Sequence, residues 1–293
     1  MHNAFDSHWS KSTITRMVES VPRTAPAGPT GVPAWGDGAT GSGEIVNRAK
    51  IGFFSLSHHA TSGDDRPYLA WHQLDHMPEQ YQLPGMLLGQ RWASTPECRA
   101  ARAVEVDSWS LVEHVVCYLM GDPVDETLDG FLTLGRHLAE LGRFGHTLPS
   151  QYRGGLRLLE AQAAPRVLVS APVVPFRPHR GIYLIVEEPI GEPEQDAFLQ
   201  RLHTDVLPTL VTVPGVAGAW TFATSPAIRR SLFSEGSHRM TVCYLDDDPA
   251  AVGTRLAPVV GQLWGTAPAR VLLAAPFASL TTTEWERFGP VPD

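Results

Sequence analysis

Most of this chain is written twice. Sliding the sequence by 130 residues lays FLQRLHTDVLPTLVTVPG, from Phe198, over YLAWHQLDHMPEQYQLPG, from Tyr68. Leu69 then meets Leu199, Asp75 meets Asp205, Pro78 meets Pro208, and Pro84-Gly85 meets Pro214-Gly215. A repeat on this scale limits the fold sharply, because each copy must be a supersecondary unit that buries its apolar face against its sibling.

The match extends on both sides of this helix-like stretch. IGFFSLSHH at Ile51 and IYLIVEE at Ile182 read as strands before it. After it, MLLGQRWASTPECR matches VAGAWTFATSPAIR, and VVCYLMGDP at Val115 matches TVCYLDDDP at Thr241 with an offset of 126. A second helix follows in each copy. The first runs from Asp125 to Gly142, with Leu128, Phe131, Leu132, Leu138 and Leu141 on one side; the other runs from Ala250 to about Trp264. RVLVSAP at Arg166 then matches RVLLAAP at Arg270 as the last strand. On that alignment the first copy carries about 22 extra residues around GRFGHTLPSQYRGG, placed to act as a lid. Each copy therefore reads strand, helix, strand, strand, helix, strand. The expected fold is α+β, with two tandem ferredoxin-like (βαββαβ) repeats. The boundaries are a Pro/Gly-rich tail over 1–48, a first repeat over 49–177 and a second over 178–293. The tail is too poor in patterned apolar residues to offset its ordering entropy.

Composition excludes several functions. A formal charge of −8 and a pI near 5.8 argue against nucleic acid, which needs a basic footprint. No apolar run approaches the roughly 20 residues of a membrane span, and the N-terminus shows no signal-peptide pattern. Cys98, Cys117 and Cys243 make no disulfide framework. A cytoplasmic protein is the expectation.

The helix HQLDHMPEQYQLPG resembles the signature of the EthD-like branch of the dimeric α/β-barrel superfamily, an aromatic-rich helix with His-x-Pro and then Leu-Pro-Gly. His76, Pro78, Leu83, Pro84 and Gly85 match it. The family usually has Trp four residues before the His, whereas here His72 holds that place with Trp71 beside it. The resemblance implies an intramolecular dimeric α/β-barrel, a tandem duplication in one chain closing on itself. A homodimer of such pseudo-dimers is compatible with it. The superfamily hosts cyclases, isomerases, monooxygenases and haem enzymes, so the resemblance alone does not choose a chemistry.

The two copies differ where chemistry is expected. His72 falls on Leu202 and His76 on Val206, so imidazoles stand where the other copy has an apolar stripe. Burying an imidazole without a partner costs about 1–3 kcal/mol, and Leu would serve the fold without that cost. Ser55 meets Ile185, Ser57 meets Glu187, His114 meets Met240 and Gln90 meets Trp220. A pocket between helix and sheet in the first copy follows, with His76 and His72 as the acid–base pair. His114, Trp71, Tyr81, Trp92, Ser55, Gln90 and His58 are the expected substrate-binding residues. The substrate is expected to be a small apolar, carbonyl-bearing or polyketide-like molecule undergoing a cyclase, isomerase or lyase reaction without a cofactor. The alternative is a haem- or small-molecule-binding protein, haem entering only through the resemblance. No metal is expected. His72, His76 and Glu79 share a helical face, but Gln73 stands where the His-Glu-x-x-His motif needs its Glu.

Overall fold

Helices form where the apolar spacing is three to four residues and strands where the runs are short and β-branched. A computed structural model describes residues 47–191, 195–265 and 267–280, which belong to one unit, Glu44–Asp293. The expected tail, 1–48, lies outside the described residues except for its last two positions. In the first half β1 (Ile51–Ser57) leads to α1 (Arg66–Trp71), a π-turn (His72–His76) and α2 (Met77–Gln80). Then come β2 (Met86–Ala93), α3 (Pro96–Ala100), β3 (Val104–Glu105), β4 (His114–Met120), α4 (Val124–Glu140) and β5 (Ser150–Ala163). The second half has β6 (Gly181–Pro189), α5 (Gln195–Arg201), a π-turn (Leu202–Val206) and α6 (Leu207–Thr212). It ends with β7 (Val216–Ala223), β8 (Arg239–Leu245), α7 (Pro249–Trp264) and β9 (Ala269–Ser279).

The strands pair antiparallel in the order β2-β4-β1-β5-β7-β8-β6-β9-β3, and β2 also pairs β9. The sheet therefore closes on itself, with helices outside: a mixed α+β, barrel-like architecture. Closure leaves the strands covered on both faces, which is why HVVCYLM of β4 is buried throughout. Phe54, Leu56, Trp92, Val115, Cys117, Trp220, Phe222 and Tyr244 fill the interior. Two further cores lie between the sheet and the helices. The one under α5–α6 and α7 is packed with Leu202, Val206, Leu210 and Tyr183. Its counterpart under α1–α2 and α4 is smaller, built on Phe53, Met77, Tyr118 and Phe131.

Both π-turns end one residue before a helix carrying Pro78 or Pro208 near its start. A proline cannot donate to the carbonyl four residues back and its ring clashes there, so the preceding turn widens. The widening occurs in both halves and is thus a property of the fold.

Three expectations need correction. The first half's last strand is β5, Ser150–Ala163, and not the RVLVSAP stretch, which follows the strand as turns. Most of the supposed insertion is therefore strand, and only the segment before Ser150 is free to cover anything. Leu141 caps α4 and is exposed, because the helix ends at Glu140. The match of VVCYL with TVCYL is one residue out of structural register: Ser57 pairs His114 while Glu187 pairs Arg239. The counterpart of His114 is Arg239 and not Met240, which faces the barrel interior. A one-residue slip in a strand reverses which face every side chain takes.

Candidate active site

Strand alternation decides what the first half presents to its helices. Phe53, Ser55 and Ser57 of β1 and His114, Val116 and Tyr118 of β4 share one face, being opposite one another in the ladder. The helices do not fill the space above them. A cavity of ≈ 300 Å³ remains, walled by the sheet face, the π-turn and α4, and bordered by Phe144, His146, Thr147 and Leu148. In the second half Leu202, Val206 and Leu210 pack the corresponding position.

His72 and His76 both line this cavity and are buried, 5% and 9% exposed. Their ring centroids are 5.3 Å apart. Trp71 stacks on His76 at 4.9 Å, and Phe144 meets that imidazole edge-on at 5.0 Å. Trp71 is held in turn by its Nε1 donating to the Arg143 carbonyl at 2.8 Å. His72 Nε2 lies 3.2 Å from the Tyr118 hydroxyl, and His76 Nε2 lies 3.4 Å from Gln80 Nε2. The Nδ1 atoms of both rings have no partner, nor does Ser57 Oγ. Burial pushes the His76 imidazole down to about 4, with the charges of Arg91 and Arg143 adding to it and Asp75 opposing. Burial also holds His72 well below its ordinary value, reinforced by Arg91. Both rings are therefore neutral at pH 7, able to accept a proton.

A second cluster anchors the start of α1. Asp65 Oδ2 receives His59 Nδ1 at 2.6 Å and His114 Nε2 at 2.7 Å, while Oδ1 accepts from the Ala60 amide at 2.7 Å. Burial alone would raise the Asp65 carboxyl, but these hydrogen bonds outweigh it and hold the group well below the usual range. The same bond raises His59, whereas burial lowers His114. His59, Asp65 and His114 form the one group of three metal-type donors among the described residues. Their spacings to one shared oxygen are hydrogen-bond lengths, shorter than the roughly 3 Å separating adjacent donors around an ion 2.0–2.2 Å from each. The arrangement fits shared protons. Glu79 does not join His72 and His76; it pairs with Arg143 at 2.8 Å, which also holds Asp75 at 2.9 Å. A cavity of ≈ 300 Å³ is at the lower end of ligand pockets and suits one small molecule.

Of the expected binding residues, Ser55 and Trp71 line the cavity with the two histidines. His114 shares their sheet face but is engaged with Asp65 behind the wall. Four lie elsewhere. Trp92 and Gln90 point into the barrel, because β2 turns Gly89, Arg91 and Ala93 outward; Trp92 Nε1 donates to His179 Nε2 at 3.1 Å and Gln90 Nε2 to the Pro175 carbonyl at 3.0 Å. Tyr81 is exposed beyond the end of α2, its hydroxyl bonded to the Gly89 backbone. His58 follows the end of β1 and meets Gln151 at 3.2 Å. Tyr118, Gln80, Tyr68 and Phe144 line the cavity without having been expected there. Tyr118 was readable by counting alternate positions from His114.

No known family matches the sequence, and no curated protein does. Among solved structures it is similar to an anthrone oxidase-like protein, at 11% identity and a TM-score of 0.43 over 80% of this chain and 92% of that one. It is also similar to a Fusobacterium nucleatum subsp. nucleatum protein described as "Putative monooxygenase", at 10% identity and a TM-score of 0.43, covering 80% and 94%. Likenesses this distant say nothing about chemistry. No helix among the described residues is long and apolar enough to cross a membrane.

Proposed function

We propose that the chain is a small-molecule enzyme that moves protons on an apolar, carbonyl-bearing ligand without a cofactor, in a reaction of the cyclase, isomerase or lyase type. One observation carries this reading: two neutral, buried imidazoles stand side by side on the wall of a largely apolar cavity, each with an unbonded Nδ1. Each orphaned nitrogen costs about 1–3 kcal/mol, and here two of them stand on one cavity wall. The apolar packing at the same place in the second half favours the reading, as does the match of His76, Pro78, Leu83, Pro84 and Gly85 to the EthD-like motif. We read the two halves as a tandem ferredoxin-like duplication in which only the first kept a pocket.

With the Gln80 amide turned so that its otherwise unpartnered Oε1 accepts from His76 Nε2–H, the free Nδ1 of His76 takes the proton α to the carbonyl. The C–H pair becomes the enolate C=C bond and the C=O π pair moves onto the oxygen. With the Tyr118 hydroxyl donating to Nε2, His72 carries its proton on Nδ1 and offers it to that oxyanion. Return of the proton at another carbon completes an isomerisation. Attack of the enolate carbon on a second carbonyl of the ligand, whose oxygen then takes the proton from His76, closes a ring; neither changes the oxidation state. Phe144, His146, Thr147 and Leu148 border the site on the side away from the sheet.

The test is exchange of α-hydrogens for deuterium, followed by proton NMR, in a panel of aryl ketones and β-diketones incubated with the protein in D₂O. His76→Ala should slow exchange by about 10²–10⁴-fold while the protein stays folded. Exchange no faster than buffer across the panel, or equal exchange by a folded His76→Ala protein, overturns the reading.

A further inference from the structure

The two halves treat one buried cation differently. In the second half the Arg239 guanidinium lies over the Phe198 ring, 3.6 Å from its centroid, and Nη1 donates to Glu187 Oε1 at 3.1 Å. Tyr68 takes the place of Phe198 in the first half, and the Arg91 guanidinium lies over its ring at 4.7 Å. Arg91 comes from β2 rather than from the counterpart of β8, yet it ends under the same aromatic position. It is 3% exposed, and none of Nε, Nη1 and Nη2 has a hydrogen-bond partner; Arg91 does not itself line the cavity, whereas the Tyr68 ring that covers it does. The residue in the place of Glu187 is Ser57, whose Oγ is likewise unbonded and which lines the cavity. The carboxylate that holds His114, Asp65, is already taken by two histidines and an amide.

A guanidinium shut away from water with no counter-ion is strongly unfavourable unless an anion arrives to pair with it. The second half has that anion built in, and Leu202 and Val206 fill the place of the two histidines. The first half lacks it and is hollow. We propose that the ligand of this cavity carries a carboxylate, which lodges beside Ser57 and pairs with Arg91 behind the Tyr68 ring, supplying the charge that Glu187 supplies in the other half. This rests on the cavity being the ligand site, and it narrows the ligand to an apolar, aromatic-sized carboxylic acid. It also explains how so weak a base as His76 becomes useful: a bound anion offsets the Arg91 charge that depresses both imidazoles.

The probes are benzoate, phenylacetate and 1-naphthoate, each against its methyl ester, with affinity followed by calorimetry and stability by thermal melting. The acids should bind the wild-type protein about tenfold or more tightly than their esters. Arg91→Lys should keep that preference and Arg91→Met should lose it. Ser57→Glu rebuilds the counter-ion of the second half, so it should raise the melting temperature of the ligand-free protein by about 2–4 °C or more and abolish acid binding. Arg91→Met should melt no lower than wild type, because it removes an unpaired buried charge. The proposal falls if esters bind as tightly as acids, if no acid binds, or if Ser57→Glu or Arg91→Met melts well below wild type. Equal binding of acids and esters, lost in His72→Leu/His76→Val, would sink the carboxylate and leave the proton-transfer reading standing. No binding by either would count against both.

Discussion

Giving His72 and His76 the residues of the other half, as His72→Leu/His76→Val, should remove much of the protein's sensitivity to mild acid. The folded His76 imidazole is pushed down to about 4 from an ordinary 6.5. Between those values the unfolded chain holds a proton that the folded protein does not. Stability therefore falls as the pH drops through 6.5 toward 4, and this contribution changes no further below that. A gap of about 2.5 units at 1.36 kcal/mol each comes to about 3 kcal/mol, of which about 2 kcal/mol is lost between pH 7.5 and 5. His72, depressed in the same direction by its burial, adds to this. His114, His179 and His238 are also lowered by burial and His59 is raised, but they titrate in both proteins and cancel in the comparison. Urea unfolding of the two proteins at pH 7.5 and at pH 5 gives four free energies. The wild type should lose at least about 2 kcal/mol more than the variant across that interval, the His76 share alone accounting for that figure. Equal losses, within about 0.5 kcal/mol, would falsify the picture of two dry, uncharged rings and with it the neutral acid–base pair.

Two further outcomes separate the cavity from its surroundings. Trp92→Ala should cost about 3–5 kcal/mol in urea unfolding, since the indole is buried inside the barrel, yet leave the affinity of cavity ligands unchanged at temperatures where the protein is folded. Arg143→Ala removes ion pairs with Asp75 and Glu79 that are over a third exposed, so stability should change by no more than about 1 kcal/mol. Because Arg143 tethers the start of the segment over the cavity, ligand dissociation in stopped-flow measurements should nonetheless become faster.

Much of the fold can be read from paired punctuation. Pro78 with Pro208, Pro84-Gly85 with Pro214-Gly215, and the apolar strands at Ile51 and Ile182 mark equivalent elements, because backbone constraints allow few residues at such points. β5 escaped for a physical reason. SQYRGGLRLLEAQA pairs with β1 and also crosses to β7, so long-range ladder bonds rather than local pattern set its length. The letters RVL in RVLVSAP offered a more visible but misplaced match. The histidines stood out because apolar residues replace them in the second half. Trp92, Gln90 and Tyr81 were misplaced because aromatic or polar character does not tell which face of β2, or which side of a helix end, a residue takes.

The difference between the halves lies in strand register as much as in composition. VVCYL and TVCYL share letters, yet Tyr118 points to the helices and Cys117 into the barrel, while Tyr244 points into the barrel and Cys243 to the helices. That single step puts a phenol beside His72 in the first half and a small thiol against the packed helix of the second. Substituting histidines into the second half would therefore place them against apolar packing with no hydroxyl to orient them. The second half, with its apolar core under the helices and its neutralised Arg239, stabilises the shared barrel. The other half can then keep an open space, two orphaned nitrogens and an unpaired guanidinium, departures from good packing that a lone domain of this size would tolerate poorly.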